Sequence, residues 1–262
     1  MPGANGYQNL IAWLDRLLSP RRARRRAIAR VPFPKRSKQF LAIHSAHYRR
    51  LPVAHQREFH GQMQVFLAEK RVTGVEMTVT DELKLLVGAS AVALSVGWPG
   101  YSWDQVSEVL LYPDSFDRDY KFGVRDYAGE AHPWGIVILS VPALLRSFTI
   151  ADEPYHVGYH EFAHLLDLAN ARFDGIPPYL PEDSIRTWVQ LAAREEERLR
   201  RGDSVLSAYG LTGPEEFFAC AVEAFLQTPV DLAVRHVELY GFLASYFRQE
   251  PAERGPEWTL LL

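Results

Sequence analysis

The spacing of hydrophobic residues predicts helices in the first quarter of the chain and short strands in its middle. Apolar side chains recur at helical spacing over residues 38–70, and Pro52 divides this segment into two helices. Short apolar or alternating runs then predict three strands, at residues 73–79, 106–112 and 134–141. A helix rich in leucine, valine and alanine follows the first strand, from Thr80 and Asp81 to about Ser95.

Beyond Ile150 the hydrophobic pattern is helical. It predicts four helices, at roughly residues 154–170, 181–201, 214–227 and 231–248. A loop at residues 171–178 separates the first two, and the polar, glycine-containing segment 114–131 is a hairpin or a loop. Helices, a small sheet and further helices in that order predict an α+β fold with a helical N-terminal layer.

The composition is that of an ordinary globular protein. Of the 262 residues, 47% are hydrophobic and 23% are charged. The formal net charge of −3 gives no general reason to expect nucleic-acid binding. The single cysteine, Cys220, excludes an intrachain disulfide and a cysteine-rich zinc site, and favours a cytoplasmic location. No segment has the roughly 20 apolar residues that span a bilayer, and no export signal is recognisable.

The N-terminal segment combines an amphipathic stretch with a basic cluster. Residues 7–18 (YQNLIAWLDRLL) predict a short amphipathic helix, and residues 21–35 (RRARRRAIARVPFPK) are strongly basic. We therefore separate a basic N-terminal arm, residues 1–37, from the main domain, residues 38–262. The arm is either a solvated segment or a contact site for an anionic partner, which would be a membrane surface or a nucleic acid.

The candidate chemistry centres on the sequence His160-Glu161-Phe162-Ala163-His164. Four residues make just over one helical turn, so both imidazoles project from one face and can hold one metal ion. Glu161 lies one step around the helix, where its carboxylate can take a proton from a metal-bound water. Two histidines alone do not complete a catalytic zinc site, which normally has three protein ligands and one open position.

The neighbours of this motif are apolar, which favours a buried helix. Burying two histidines and a glutamate is costly without a metal or other partner. The alternative is a chance pair of core histidines that are satisfied by hydrogen bonds. Asp167 follows two turns after His160, and it either orients a ligand from behind or is a surface carboxylate.

A third ligand is expected from the helix predicted at residues 214–227. Glu216 and Glu223 are seven residues apart and share a face that is otherwise apolar, where unpaired charges are unfavourable. Glu215 lies on a different side, where the helix dipole favours an acidic residue. Spacing alone does not choose between Glu216 and Glu223.

Four segments together resemble the Mlc titration factor A family of bacterial metallopeptidases. They are HEFAHLLD, AYGLTGPEEFFACAVEAF, WGIVILS and LLYPDSF, and the resemblance extends from about Phe59 to Pro251. The second segment is also similar to the zinc-binding helix of the anthrax lethal factor catalytic domain. The resemblance implies a zincin-like fold in which a small sheet lies beside the active-site helices.

The resemblance also implies roles for individual residues. His160, His164 and Glu216 match the ligands of a single Zn²⁺, which is the gluzincin-like pattern, and Glu161 matches the catalytic glutamate. Tyr209, seven residues before Glu216, matches a tyrosine thought to steady the oxyanion. Glu223 matches a recurring acidic position in the same helix, behind the ligands.

We therefore expect a zinc-dependent peptidase that hydrolyses peptide bonds in a peptide or protein substrate. Residues 134–140 are either an edge strand that pairs with this substrate or a core strand. The alternative function is a zinc-containing binding protein that sequesters a transcriptional regulator. The basic N-terminal arm has no counterpart that the resemblance identifies.

Overall fold

The computed structural model of the protein describes residues 19–121, 127–150, 153–170 and 172–252. The helix predicted at residues 7–18 lies outside the described residues. Within the described ranges, helices and one small sheet combine into a mixed α and β fold, which confirms the predicted α+β class. The zincin-like arrangement stays a prediction.

Four helices form an N-terminal layer before the first strand. They are α1 (Pro20–Ala29), α2 (Lys35–His44), α3 (Ala46–Arg50) and α4 (Val53–Glu69). Pro52 stands immediately before α4 and separates it from α3, as predicted. Phe59 and Met63 on α4 are fully buried and belong to a hydrophobic cluster that includes residues of the next helix, α5 (Asp81–Ser95). Helix α5 begins where the sequence predicts, with the Thr80 side chain accepting the backbone N–H of Leu83.

The sheet contains four strands in the spatial order β1-β2-β4-β3. They are β1 (Arg71–Gly74), β2 (Glu108–Tyr112), β3 (Gly129–Ala131) and β4 (Ile136–Ser140). Strands β1, β2 and β4 are parallel, and β3 pairs antiparallel with β4, with Gly129 opposite Leu139. Strand β4 is therefore a core strand, so its interpretation as an edge strand is wrong. In the described part of the chain, β3 forms that edge of the sheet.

Six helices follow the sheet. They are α6 (Val141–Thr149), α7 (Val157–Asp167), α8 (Glu182–Arg200), α9 (Pro214–Gln227), α10 (Pro229–Arg235) and α11 (Val237–Phe247). Two short 3₁₀ helices, Leu168–Asn170 and Ala208–Leu211, extend α7 and precede α9. Buried side chains from α5, α7 and α9 and from the inner face of the sheet share the largest hydrophobic cluster. The core therefore lies directly beneath α7 and α9.

Three features of the fold differ from the sequence prediction. Strand β1 ends at Gly74 instead of residue 79, because the chain folds back so tightly that a Cβ atom on Gly74 would lie 2.3 Å from the Met77 carbonyl oxygen. Helix α6 was not predicted. The single helix predicted at residues 231–248 is two helices, because His236 departs from helical geometry between α10 and α11.

The basic segment is not a solvated arm over residues 20–29, because these residues form helix α1 and pack against α4. Arg25 is the anchor, since its guanidinium donates to the Glu69 carboxylate and to the Ser102 hydroxyl, and also pairs with Asp104. The hydrogen bond from Arg25 outweighs burial and lowers the pKa of Glu69. The division at residue 37 stays a prediction.

Among the described residues, no single helix has the length and apolar composition of a membrane span. Helices α9 and α10 meet that criterion only when they are taken together, across a bend of 112°.

Candidate active site

Helix α7 carries the predicted metal-binding motif and is buried along its whole length. Its N-terminus is capped by His156, whose Nδ1 atom accepts the backbone N–H of Tyr159 over 3.2 Å. Gly158 allows α7 to lie against α5, because an added Cβ atom would stand 2.2 Å from the Ser90 hydroxyl oxygen. The motif is therefore held on a closely packed helix with little freedom to move.

The imidazoles of His160 and His164 converge, as their spacing along one helical face predicts. Their ring centroids lie 4.6 Å apart, and their Nε2 atoms are 3.0 Å apart. Both rings are almost fully buried, with 10% and 6% of their side-chain surfaces exposed. Two ring nitrogens so close together need a shared proton or a shared cation between them.

Helix α9 brings Glu216 to the same point. Pro214 begins this helix, and its missing N–H costs nothing in the first turn. One carboxylate oxygen of Glu216 lies 2.9 Å from Nε2 of His160 and 3.3 Å from Nε2 of His164. Burial opposes ionisation, but the hydrogen bonds from the two histidines lower the pKa of Glu216 to about 2. The carboxylate is therefore ionised where the two imidazoles meet.

Glu223 lies two turns further along α9 and contacts the opposite nitrogen of the same imidazole. One of its carboxylate oxygens is paired with Nδ1 of His160, and the other accepts the backbone N–H of His156 over 3.1 Å. Burial raises the pKa of Glu223 despite these contacts. The structure thus places both candidate glutamates at His160, with Glu216 on the Nε2 side and Glu223 on the Nδ1 side.

The donor atoms at this point fit a metal ion. When the neutral His160 ring carries its proton on Nδ1 and donates a hydrogen bond to Glu223, its Nε2 atom has only a lone pair to offer. That lone pair then faces a carboxylate oxygen and a second imidazole, and ligand atoms from all three residues lie within 4.8 Å of one another. A cation would satisfy all three, and neutral imidazoles with one carboxylate are a common set of metal ligands.

A second group of potential ligands lies behind the His160 ring. It comprises Nδ1 of His160, the Cys220 thiol and Glu223, and all three residues are buried. The pairing of Glu223 with the imidazole accounts for this group without an ion. Burial raises the pKa of Cys220, which disfavours the thiolate that a metal would require.

Glu161 lies beside the converging ligands and against the edge strand. It is 5% exposed, and its burial raises the pKa of its carboxyl group, against the opposing effect of His160 and His164. Gly129 on β3 leaves room for it, because a Cβ atom there would lie 2.5 Å from Oε1 of Glu161. This contact ties the position of Glu161 to the sheet.

Tyr209 stands at the open side of the site. It is part of the 3₁₀ helix before α9, where the Ser207 side chain accepts its backbone N–H. Its ring centroid lies 5.8 Å from that of His160, and its hydroxyl group is 3.5 Å from a Glu216 oxygen. The side chain is 52% exposed, so the hydroxyl group is accessible to a bound molecule.

Asp167 is buried near the end of α7, which excludes its interpretation as a surface carboxylate. Its Oδ2 atom accepts the backbone N–H of Gly175 over 2.9 Å, and burial raises its pKa to about 6. In the described part of the chain, Oδ1 has no hydrogen-bond partner. Asp167 thus fastens the loop after α7, and its role in orienting a metal ligand stays a prediction.

The cluster of candidate metal ligands borders two adjoining cavities of about 460 and 760 Å³. Both cavities are lined by Arg118, Tyr127, Gly129, His160, Glu161 and Tyr209. His160 on α7 and Gly129 on β3 therefore lie where the two cavities adjoin. The sequence did not predict the part played by Gly129, since a three-residue strand has no distinctive pattern of its own.

Two imidazoles on one helix, a carboxylate on a second helix, and another carboxylate beside an edge strand match the residue types of a metallopeptidase site. Comparison with known proteins agrees. The chain belongs to the family described as glucose-regulated metallo-peptidase M90, whose model matches residues 19–248. This match includes α1, so the family extends over part of the basic segment.

Individual relatives are consistent with this assignment. The chain is 30% identical to Mlc titration factor A of Edwardsiella ictaluri, over 72% of this chain and 75% of that protein. It is also 30% identical to Mlc titration factor A of Salmonella agona, over 72% and 77% of the two chains. An uncharacterised protein of Synechocystis is 25% identical over 94% of this chain and 92% of its own length. The predicted membership of the Mlc titration factor A family is confirmed, and the relationship to lethal factor stays a prediction.

Proposed function

We propose that this protein is a zinc-dependent peptidase that hydrolyses peptide bonds, with His160, His164 and Glu216 as the ligands of one ion. The observation that carries this proposal is the convergence of two Nε2 atoms and one ionised carboxylate at a single point. Zinc is the natural choice for two neutral imidazoles and a carboxylate without thiolates. Three protein ligands leave one position for a water molecule or a substrate oxygen.

A zinc ion bound there would lower the pKa of its water and polarise the scissile carbonyl group. Glu161 is the group in place to accept a proton from that water and to deliver it to the leaving amine. Its buried position supports this role, since a carboxyl group with a raised pKa is a better base than one in free solution. The close approach of Gly129 to the Glu161 carboxylate leaves little free space on that side of it.

Substrate binding is proposed to use the edge strand and Tyr209. Among the described residues, strand β3 pairs with one neighbouring strand only, so the backbone groups of its other edge can pair with an extended peptide. Such a peptide would run along both cavities with one of its carbonyl groups close to the converging ligands. The exposed hydroxyl group of Tyr209 can then donate a hydrogen bond to the oxyanion that forms.

The test pairs metal analysis with hydrolysis of a peptide library by the purified protein. The proposal requires about one zinc per chain and cleavage that a chelator abolishes. Glu161→Gln should retain the zinc and lose the cleavage. Glu215→Gln, also on α9 but outside both cavities, serves as the matched control and should behave as the unaltered protein. Cleavage at the normal rate by Glu161→Gln would remove Glu161 as the base.

A second candidate function is the capture of a transcriptional regulator, with the same zinc-containing site. It is favoured by the relatives named Mlc titration factor A, a name that refers to Mlc. Co-elution of the purified protein with Mlc in size-exclusion chromatography tests it, and Glu161→Gln should preserve the complex because this function needs no turnover. Either function is compatible with the cytoplasmic location that we propose.

A further inference from the structure

A large cavity in the described part of the chain lies away from the candidate active site. It is a cleft of about 780 Å³ between α1, α4 and the loop at residues 99–104. None of its lining residues also lines the two cavities at the metal ligands. The proposed peptidase function therefore does not account for it.

The cleft has a fixed wall, because Arg25 attaches α1 to the rest of the fold. The Arg25 side chain is 12% exposed and bridges Glu69 on α4 and Asp104 in the loop. Gly61 allows α4 to approach α1, since a Cβ atom there would already lie 3.3 Å from Cβ of Ala29. The cleft is thus preformed, with α1 held as one of its walls.

The lining of the cleft is strongly cationic although the whole chain carries a net charge of −3. Five arginines line it, against two carboxylates, and no lysine does. The Asp104 carboxylate pairs with Arg25 and Arg21, and Glu58 accepts the backbone N–H of Gly100 over 2.8 Å. Both carboxylates are therefore already engaged.

Three of the lining arginines have no anionic partner among the residues that the structure describes. Arg22, Arg30 and Arg57 form no ion pair with any residue that the structure describes, and all three are exposed. A guanidinium group binds phosphate through two parallel hydrogen bonds, which makes arginine better suited than lysine to this purpose. Unpaired arginines that face one another across a cleft point to an anionic ligand.

The spacing of these groups indicates the size of that ligand. Arg22 and Arg26 lie on α1 and Arg30 caps its C-terminus, so the three are four residues apart and rise by about 6 Å per step along one face. Arg57 lies on α4, the other wall. The cavity volume is within the range of about 300–1,000 Å³ that is typical of small-molecule sites, and its concave shape does not match a flat membrane surface.

We propose that this cleft is a binding site for a small organic anion that carries two or more phosphate groups. The phosphates contact the arginines of both walls, and the body of the molecule lies against Ala29, Val65 and Pro99. The site gives the basic segment a function that requires α1 to be folded. It is independent of the metal site, so either can exist without the other.

The test is isothermal titration calorimetry of the full-length protein with inorganic pyrophosphate at constant ionic strength. We expect saturable binding that weakens roughly tenfold or more in Arg30→Gln and in Arg57→Gln, and further in the double variant. Arg24→Gln is the matched control, because Arg24 is an exposed residue of α1 that does not line the cleft, and it should bind as the unaltered protein does. All these variants keep the candidate metal ligands, so any heat released when pyrophosphate chelates a bound metal ion would be the same in every titration.

Three outcomes would overturn the proposal. They are the absence of saturable pyrophosphate binding at millimolar concentration, equal weakening by Arg24→Gln, and unchanged affinity in the double variant. Parallel titrations with phosphatidylserine vesicles and with a single-stranded oligonucleotide separate the other classes of partner. Binding to either of these without binding to pyrophosphate would assign the arginines to a different ligand and also contradict the proposal.

Discussion

One carboxylate oxygen of Glu223 is paired with Nδ1 of His160, on the side of the ring opposite to Glu216. The pair is buried between α7 and α9, and the second Glu223 oxygen is held by the backbone N–H of His156. A carboxylate in this position fixes the imidazole tautomer and directs the Nε2 lone pair toward the ligand cluster. The same contact links the N-terminus of α7 to the middle of α9.

The first prediction is that Glu223 supports metal binding without being a ligand. Glu223→Ala should weaken zinc affinity by roughly 10- to 100-fold, the usual effect of losing a partner behind a metal ligand. Glu216→Ala should weaken it more, because it removes a ligand atom. Competition with a chromophoric chelator measures both affinities, with circular dichroism as the check on folding. The assignment of the two glutamates would be reversed if Glu223→Ala had the larger effect.

The second prediction concerns the hydroxyl group of Tyr209. Tyr209→Phe should reduce kcat by on the order of 10- to 100-fold, since it removes one hydrogen-bond donor to the developing oxyanion. Zinc content and KM should change little, because the exposed ring stays in place beside His160. Steady-state kinetics with one peptide substrate measures the separation. An unaltered kcat would leave Tyr209 with a packing role only.

The third prediction uses the close contact between β3 and the catalytic carboxylate. Gly129→Ala should displace Glu161, because the added Cβ atom would lie 2.5 Å from its Oε1 atom and 2.7 Å from Cγ2 of Val157. We expect turnover to fall at least tenfold while zinc remains bound. Gly241→Ala is the control, since a Cβ atom at that position meets nothing within 4 Å. Normal turnover in Gly129→Ala would show that Glu161 does not depend on this contact.

The fourth prediction concerns acid stability and a histidine far from the metal ligands in sequence. His47 is buried against Gln249, and burial, with a smaller effect of Arg50, lowers its pKa to about 3. The unfolded chain takes up this proton near pH 6.5 and the folded protein does not. The contribution of His47 to the free energy of unfolding is therefore fully present above pH 6.5. It is lost as the pH falls from there toward 3, at about 1.4 kcal/mol per pH unit.

His47→Gln should remove this contribution and make stability less dependent on pH. Urea denaturation at pH 6 and at pH 5 measures the difference in the free energy of unfolding between the two conditions. We expect that difference to shrink by about 1 kcal/mol in His47→Gln, whatever the stability of the variant at neutral pH. If the two proteins lose the same stability between pH 6 and pH 5, His47 does not titrate as its burial implies.

The sequence predicted the helices of the site well, because their signals are local. The spacing of His160 and His164 and the Thr80 cap of α5 each depend on residues within one or two turns. Glu216 and Glu223 were both identified as unusual charges on an apolar face, but spacing could not assign them. Their positions follow from the packing of α9 on α7, which places one carboxylate on each side of the His160 ring.

Features that depend on tertiary contacts were missed. Helix α6 follows β4 without a break, with Ser140 both ending the strand and capping the helix, so one apolar run contains two elements. The break between α10 and α11 at His236 is held by its buried pair with Glu195 on α8. Likewise, α1 in the basic segment is fastened by contacts of Arg25 with Glu69 and Asp104, which are distant in sequence.

Anomalous diffraction at the zinc absorption edge, from crystals of the purified protein, would locate the ion directly. We expect one strong peak per chain, about 2.0–2.2 Å from Nε2 of His160, Nε2 of His164 and a carboxylate oxygen of Glu216. Zinc-loaded crystals with no peak there, or with the ion bound instead by Nδ1 of His160, Cys220 and Glu223, would disprove the proposed site.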